Sequence, residues 1–393
     1  EGRIEEAVIP VDQMFSDLPE LVSENGTLDR LLANGNFFTE AQAGKGLTDS
    51  DTGDGSLCRV YDSRHRFIGV YEYRAGEAKK DFSGRRIDME YIRGTREFQI
   101  GEPTAVTLGK FDGLHRGHKK LLKELFRFRG KGYRTAVFTF ETTPGTLIRK
   151  KLQTMITTNE ERCENLRAAG VDYLVEYPFN DEVASMTPED FVRKVLIQQM
   201  NAKAIVAGTD FHFGCRRSGD VEFLKAHAKE LGYELTVVEK AMDGSREISS
   251  TYIREELAAG RIEKANELLG YTYSVQGRVV HGKHLGTGMG FPTVNLLPPS
   301  QKHLPAFGVY YSEVVIDGKT YPGITNIGRK PTIRGEHPAG VETYIYDWKK
   351  DIYGKNIEVK LLSFLRPERK FGSIDELKTA ILKNAQETRL YFG

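Results

Sequence analysis

The stretch Ala105–His118, AVTLGKFDGLHRGH, decides the fold at the centre of this chain. It opens with a short apolar run of the length of a buried strand, breaks at Gly109, and closes on two histidines. From His118 the apolar positions recur with helical spacing, which predicts a helix His118–Phe128. We therefore expect a strand, a glycine turn and a helix N-terminus in succession.

A junction of this kind favours phosphate, because free backbone N–H groups and the positive end of the helix dipole meet there. Gly109 and Gly113 let the backbone approach a ligand where a Cβ would clash. His115 and His118 would lie on one face of the first helical turn, and both imidazoles can donate to an oxyanion. The stretch predicts a nucleoside triphosphate site, although an isolated pair of this kind can also be a plain polar helix start.

Strands and helices alternate around this stretch, from Glu90 to about Gly260. Repeated crossovers predict a parallel sheet with helices on both faces and with ligands at the carboxyl ends of its strands. The predicted strands are 105–108, 135–140, 173–176, 203–206 and 235–239, and the predicted helices are 118–128, 159–169, 188–199, 220–231 and 250–259. Thr187, with Pro188 next, is typical of a helix start.

The pattern changes after a connecting helix predicted at 262–269. Four β runs, 275–280, 309–316, 341–346 and 356–362, are separated by Gly- and Pro-rich turns, and a last helix is expected at 374–390. This order predicts an antiparallel barrel or sandwich closed by a C-terminal helix.

Length and composition limit the function classes. A chain of 393 residues predicts two or three domains, and its formal charge of +1 gives no general attraction to nucleic acid or membrane. Cys58, Cys163 and Cys215 are scattered, which argues against a disulfide framework and a zinc site and favours a reducing cytosol. No apolar run approaches a membrane span, and the first residues are unlike a signal peptide, so we expect a cytoplasmic protein.

Residues 1–88 contain a Gly-, Asp- and Ser-rich loop at 44–55 and a predicted β-hairpin of strands 57–61 and 67–73. This segment resembles the C-terminal tail of bacterial B-type tRNA pseudouridine synthases, a small β-rich, PUA-like RNA-binding module. The resemblance lies in three sequence motifs, IEEAVIPVDQMFSDLPE, RLLANG and CRVYDSRHRFIGVYEY. The catalytic part of those enzymes is missing, so the resemblance implies no pseudouridine synthesis. A segment without function is favoured over RNA binding.

Two motifs further along the chain also suit phosphate binding. Residues 207–214, AGTDFHFG, follow a predicted strand, and residues 248–254, ISSTYIR, open a predicted helix. Hydroxyls and helix N–H groups can hold phosphate oxygens and Arg254 can add a bidentate clamp, although Ser249 could also be a simple N-cap. In this order the motifs resemble the bacterial bifunctional riboflavin kinase/FAD synthetase family, from Met89 to the C-terminus.

The second half resembles the same family independently. Residues 281–295, HGKHLGTGMGFPTVN, are similar to the flavokinase signature. Thr293 and Asn295 alternate on one face of an extended stretch, so their side chains can converge on Mg²⁺ and phosphate. A loop in which both merely satisfy backbone groups is the alternative. The resemblance makes Glu342 the catalytic base.

The two resemblances together imply three domains: a PUA-like segment at 1–88, a Rossmann-like HxGH FMN adenylyltransferase at 89–261, and an antiparallel β-barrel riboflavin kinase with a C-terminal helix at 262–393. The implied catalytic residues are His115, His118 and Glu342, and the implied metal ligands are Thr293 and Asn295. The implied nucleotide-binding residues are Gly109, Phe111, Asp112, Gly113, Gly117, Asp210, Ser249, Ser250, Thr251, Arg254, Gly282, Gly290 and Pro292. Flavin binding is implied for Phe140, Asn180 and Phe211.

Two positions depart from the family: His212 stands where Arg is common, and 139–144, TFETTP, departs from T-F-x-P-x-P. The implied activity is phosphorylation of riboflavin to FMN and adenylylation of FMN to FAD, with ATP as co-substrate and Mg²⁺ as cofactor, in a monomer or weak homo-oligomer. One alternative is another HxGH adenylyltransferase joined to a non-catalytic barrel. The other is an RNA-associated flavin-binding or sensor protein with degenerate catalysis.

Overall fold

The computed structural model describes residues 20–23, 38–39, 57–61, 63, 67–75, 80–83, 89–141, 154–281, 293–329, 339–346, 348, 350–369, 376 and 379. The chain separates into two compact units. One holds the described residues from 20 to 141 together with 159–241, and the other holds 154–158 together with the described residues from 242 onward.

The first unit contains a parallel six-stranded sheet. Its strands are β6 (Glu90–Arg93), β7 (Thr104–Leu108), β8 (Arg134–Phe140), β9 (Tyr173–Tyr177), β10 (Ala202–Gly208) and β11 (Glu234–Val238). They are ordered β11-β10-β7-β8-β9-β6, and every neighbouring pair is parallel. The central strand β7 is buried along its whole length, as expected for a sheet covered on both faces.

Helices connect these strands. They are α1 (Arg116–Phe126), a 3₁₀ turn (Arg127–Lys131), α2 (Asn159–Ala168), α3 (Asp181–Ser185), α4 (Pro188–Asp190) continued by a π-helix (Phe191–Gln199), a second 3₁₀ turn (Cys215–Arg217) and α5 (Val221–Leu231). Side chains that alternate along each strand feed two separate cores. Leu174 of β9 packs in the core that also contains Leu122 of α1 and Cys163 of α2, whereas Val175 packs in the opposite one.

The second unit is built on a closed antiparallel barrel. Two short strands, β12 (Met242–Asp243) and β13 (Arg246–Glu247), and two helices, α6 (Ser250–Ala258) and α7 (Ile262–Leu269), precede it. The barrel strands are β14 (Ser274–Val280), β15 (Thr293–Leu297), β16 (Gly308–Ile316), β17 (Lys319–Arg329), β18 (Ala339–Ile345) and β19 (Asn356–Pro367), in the order β14-β15-β18-β17-β16-β19. Closure removes the exposed edges that an open sheet would leave.

The N-terminal residues form a separate five-stranded sheet. Its strands are β1 (Glu20–Val22), β2 (Phe38–Thr39), β3 (Leu57–Tyr61), β4 (Phe67–Ala75) and β5 (Lys80–Ser83), ordered β1-β3-β4-β5-β2. Strands β3 and β4 are antiparallel, so the expected hairpin is confirmed and its second strand extends to Ala75. The loop at 44–55 lies outside the described residues.

The fold class is confirmed, but several boundaries were wrong. Helix α1 begins at Arg116 rather than His118, because His115 caps it, and it passes into a 3₁₀ turn after Phe126. The short edge strand β6 and the long strand β17 were not predicted. The expected helix 374–390 has only residues 376 and 379 within the described part of the chain.

Candidate active sites

Residues 109–118, here called the histidine loop, join the carboxyl end of β7 to the start of α1. The backbone turns back sharply: φ is 47° at Phe111, 86° at Gly113 and 35° at Leu114. Only glycine adopts such an angle without strain, which explains Gly113 in the middle of the turn. Phe111 and Leu114 are nevertheless buried, because both side chains pack in the core beneath α1.

The two histidines of this loop face each other. Their rings stack with centroids 3.8 Å apart, and the ring of Phe111 lies 4.8 Å from that of His118. The N–H of Gly117 donates to Nδ1 of His115 at 3.2 Å, so His115 is the N-cap of α1. Since Nδ1 accepts this bond, the proton of the neutral His115 ring sits on Nε2.

Both imidazoles are neutral at pH 7. Burial lowers the pKa of His115 to about 4. The pKa of His118 lies well below its usual value, first because of burial and then because of His115 beside it. Among the described residues Nδ1 of His118 is buried without a hydrogen-bond partner. The pair is therefore a set of neutral polar groups at a helix N-terminus.

The residues with an implied flavin role lie at or just after the carboxyl ends of strands β8, β9 and β10 of the same sheet. Phe140 ends β8, and its ring lies 4.9 Å from that of Phe179. The ring of Phe211, which follows β10, stacks on Phe213 at 5.5 Å. The side chain of Asn180 accepts from the N–H of Val183 and so caps α3.

The motif AGTDFHFG, residues 207–214, makes one ion pair within the described part of the chain. Asp210 pairs with Lys240 at 3.0 Å. Nδ1 of His212 lies 2.8 Å from the carbonyl oxygen of Asp210, at the position where the family usually has Arg. Its imidazole therefore binds the loop's own backbone.

The motif ISSTYIR, residues 248–254, belongs to the second compact unit. Ser249 caps α6 by accepting from the N–H of Tyr252 at 3.2 Å, as the simpler interpretation expects. Ser250 and Thr251 begin the helix. Nε of Arg254 donates to the carbonyl oxygen of Thr154 at 3.4 Å, a contact that the sequence did not predict.

Thr154 belongs to a short segment, 154–158, that pairs with residues 301–303. The N–H of Met155 donates to the carbonyl oxygen of Gln301, and that of His303 donates to the carbonyl oxygen of Met155, both at 2.7 Å. Nδ1 of His303 lies 2.7 Å from Oγ1 of Thr154. Burial, and then the charge of Arg254, lowers the pKa of His303 to about 4.

The residues with implied kinase roles meet on β15 and β18. Oγ1 of Thr293 donates to Oε1 of Glu342 at 2.5 Å, and Asn295 lies directly opposite Glu342 in the register of the two strands. Thr343, the next residue, is fully buried, so Glu342 points to the outer face of the barrel wall. Thr293 and Asn295 therefore share that outer face, as the alternation predicted.

A further polar residue adjoins this group. Asn326 of β17 lies opposite Glu342 on its other side, so the glutamate stands between two asparagines in the register. The word NIG at 326–328 was the available signal in the sequence. Gly282, Gly290 and Pro292, predicted to bind nucleotide, lie outside the described residues.

These observations define a class. The chain contains a parallel α/β sheet with two stacked histidines at a strand–helix junction. Further along the chain, a closed barrel carries a threonine, an asparagine and a glutamate on one face. This architecture is that of a two-module, nucleotide-using transferase. Family models agree: the FAD synthetase model matches residues 97–252, and the riboflavin kinase model matches residues 269–392.

Relatives give the same result over both modules. The bifunctional riboflavin kinase/FMN adenylyltransferase of Listeria monocytogenes is 35% identical over 73% of this chain and 92% of its own length. That of Escherichia coli K12 is 36% identical over 78% of this chain and 98% of its own. A solved structure from Streptococcus pneumoniae, described as a macrolide-efflux protein, has a TM-score of 0.69 at 32% identity and covers 77% of this chain and 98% of that chain.

The chain belongs to the family of bifunctional riboflavin kinase/FMN adenylyltransferases. It is an enzyme that phosphorylates riboflavin to FMN and adenylylates FMN to FAD, with ATP as co-substrate. The relatives do not support the RNA-associated sensor or the unrelated adenylyltransferase. None of the helices in the described part of the chain is long and apolar enough to cross a membrane.

Proposed function

We propose that the histidine loop is the adenylyl-transfer site and that Thr293, Asn295 and Glu342 form the kinase site. The stacked, neutral histidines at the start of α1 support the first assignment, and the bond between Thr293 and Glu342 supports the second. Residues 89–261 and 262–393 are the proposed extents of the two catalytic domains.

In the adenylyl-transfer site a phosphate oxygen of FMN attacks the α-phosphorus of ATP, and pyrophosphate leaves. Nε2–H of His115 and the ring of His118 donate hydrogen bonds to the α-phosphate oxygens, where negative charge increases in the transition state. Because their pKa values are low, both rings are neutral hydrogen-bond donors before ATP binds. No ion pair of these histidines therefore has to be broken when the phosphates bind. The phosphate-binding role implied for Ser249, Thr251 and Arg254 stays a prediction from the sequence resemblance.

In the kinase site Glu342 accepts the proton of the ribityl 5′-hydroxyl as that oxygen attacks the γ-phosphorus of ATP. Oxygen atoms of Thr293 and Asn295 suit a hard cation, so these two residues fit Mg²⁺. Mg²⁺ in such sites is usually held by one or two protein groups together with substrate phosphates and waters, so few protein ligands are needed. When bound, Mg²⁺ would neutralise charge on the transferred phosphoryl group.

The test separates the two sites in one chain. Purified protein is incubated with ATP, Mg²⁺ and either riboflavin or FMN, and the flavins are resolved by chromatography over time. We expect His118→Asn to make FMN from riboflavin at the normal rate and to form FAD about 100- to 1,000-fold more slowly, the loss typical of one removed oxyanion donor. Normal FAD formation by this variant would overturn the assignment of the histidine loop.

A further inference from the structure

A buried ion pair lies at the carboxyl end of β9. The exposed fraction of the side chain is 0% for Glu176 and 3% for Arg162 of α2, and Nη2 of the arginine donates to Oε1 of the glutamate. The second carboxylate oxygen of Glu176 accepts from the hydroxyl of Tyr91 at 2.5 Å and lies 3.4 Å from Nε of Arg93. Burial and the bond to Glu176 raise the pKa of Tyr91. Both charges are thus removed from water, which is costly unless they are fully paired.

The same guanidinium group reaches the histidine loop. Nη1 of Arg162 donates to the backbone carbonyl oxygen of Lys110 at 3.3 Å, while Nη2 also donates to Oδ1 of Asn159 at 3.1 Å. Glu176 is two residues after Leu174, so it faces the side of the sheet on which α1 and α2 pack. The buried pair therefore connects β9 and α2 to the backbone of the loop.

The loop needs such a restraint because its conformation is strained. Phe111 and Leu114 have positive φ values of 47° and 35°, a backbone region that is unfavourable for residues other than glycine. Backbone bonds at this turn include that from the N–H of Gly109 to the carbonyl oxygen of Phe138 and a long one, 3.4 Å, from the N–H of Leu114 to the carbonyl oxygen of Phe111. The bond from Arg162 fixes the carbonyl of the residue directly before Phe111.

We propose that Arg162, held in place by Glu176, is a positioning residue for adenylyl transfer. It keeps the peptide between Lys110 and Phe111 in the orientation that brings His115 and His118 to the start of α1. It acts through the loop and does not touch the substrate. The proposal rests on the proposed role of the histidine loop in FAD formation.

The chemistry of the site requires arginine. A guanidinium group has five N–H donors in a fixed plane and here serves a carbonyl, an amide oxygen and a carboxylate at once. A lysine ammonium group is a compact point charge on a flexible stem. Lysine at position 162 would keep a positive charge for Glu176 but would lose the simultaneous contact with the loop.

The first experiment compares Arg162→Lys with Arg129→Lys. Arg129 is a matched control because it pairs with buried Asp172 at 3.2 Å, directly before the same strand β9 and at its opposite end. Both changes are expected to lower the melting temperature, but only Arg162→Lys should lower kcat for FAD formation, by about 10- to 100-fold, the cost of displacing a reacting group by about 1 Å. Riboflavin phosphorylation serves as an internal reference in both variants.

Amide hydrogen exchange gives a readout that a general loss of stability would not produce. Residues 109–118 should exchange faster in Arg162→Lys than in Arg129→Lys when the two proteins are compared at equal distance from their melting temperatures. Equal kcat and equal exchange in the two variants would overturn the proposal.

A second variant guards against misfolding. Arg162→Met with Glu176→Leu replaces the buried pair by apolar side chains, a change that is often neutral for stability, and Arg93 keeps its partner Glu141 at 3.2 Å. We expect this protein to fold and to form FAD slowly, whereas full activity would overturn the role of Arg162. If His118→Asn is fully active, the proposed function fails; if His118→Asn is slow while both Arg162 variants are fast, only the present proposal fails.

Discussion

The hydroxyl of Thr293 donates its proton to Oε1 of Glu342 across the strand pair β15–β18. A hydroxyl has one proton and two lone pairs, so this bond leaves the lone pairs of Thr293 for a cation. It also engages Oε1 of Glu342, so under the proposed assignment we expect the other oxygen, Oε2, to accept the proton of the ribityl hydroxyl. The proposed cation ligand and the proposed base are thus neighbouring, hydrogen-bonded side chains.

Replacement of Glu342 by glutamine should separate the two activities. The amide retains the size of the side chain but cannot accept the ribityl proton, so phosphorylation of riboflavin should fall about 100- to 10,000-fold, the usual contribution of general base catalysis. FAD formation from supplied FMN should not change, as measured by chromatography of the flavins. Glu358→Gln on β19, within the same barrel, is the control and should leave both rates intact.

Thr293 tests the proposed cation site. Thr293→Val is nearly isosteric but has no side-chain oxygen, so the kinase should need more Mg²⁺. Removal of a residue that only supports a metal ligand typically lowers metal affinity by about 10- to 100-fold, and we expect a loss of at least this size for the ligand itself. Thr293→Ser retains the hydroxyl and should stay close to the original protein. A titration of the initial rate with Mg²⁺ at saturating ATP measures the difference. The same Mg²⁺ dependence in the valine and serine variants would argue against this ligand.

The neutral histidines predict how stability depends on pH. Below the ordinary pKa of 6.5 the unfolded chain takes up a proton on His115, whereas the folded chain does not do so until about pH 4. The free energy of unfolding should therefore decrease as the pH is lowered from about 6.5 to about 4, by at most about 3 kcal/mol from this residue. Denaturant unfolding at several pH values should show a shallower decrease for His115→Gln. An unchanged slope would mean that the pKa of His115 is the same in the folded and the unfolded chain.

Removal of residues 1–88 should leave both activities in place. The family models match from residue 97 onward, and the kinase and adenylyltransferase residues proposed above all lie after residue 108. A chain beginning at Met89 keeps that buried side chain and the edge strand β6. A chain beginning at Phe98 would lose Tyr91 and Arg93, two of the partners of Glu176, and should be less stable in thermal unfolding. Loss of either activity in the longer of the two chains would assign a role to the N-terminal sheet.

Local sequence patterns predicted many of the strands, helices and candidate site residues of this protein, because each motif lies within one strand–helix junction or one strand. The histidine loop and the alternation of Thr293 and Asn295 are of this kind. The start of α1 was misplaced because nothing in the spacing of apolar residues shows that Nδ1 of His115 accepts from Gly117. The choice of N-cap depends on a hydrogen bond and not on periodicity.

Other features depend on pairing between distant segments. Strand β17 contains Pro322, Gly323 and Gly328, which are typical of turns, but its residues pair with β16 and β18 in a closed barrel. The pair Arg162–Glu176 joins a helix to a strand. With 56 basic and 55 acidic residues in the chain, sequence alone gives no reason to choose that combination.

The pairing of residues 154–158 with 301–303 has a consequence for protein engineering. The chain leaves the α/β sheet after β8, contributes a short piece to the barrel unit, and returns as α2. A gene fragment that encodes only the barrel as one uninterrupted block omits this piece. Such a fragment leaves the backbone of Gln301 and His303 without these partners and removes one acceptor of Lys302, the carbonyl oxygen of Ile156. Separate expression of the kinase therefore calls for a circularly permuted or spliced design that carries residues 154–158 with it.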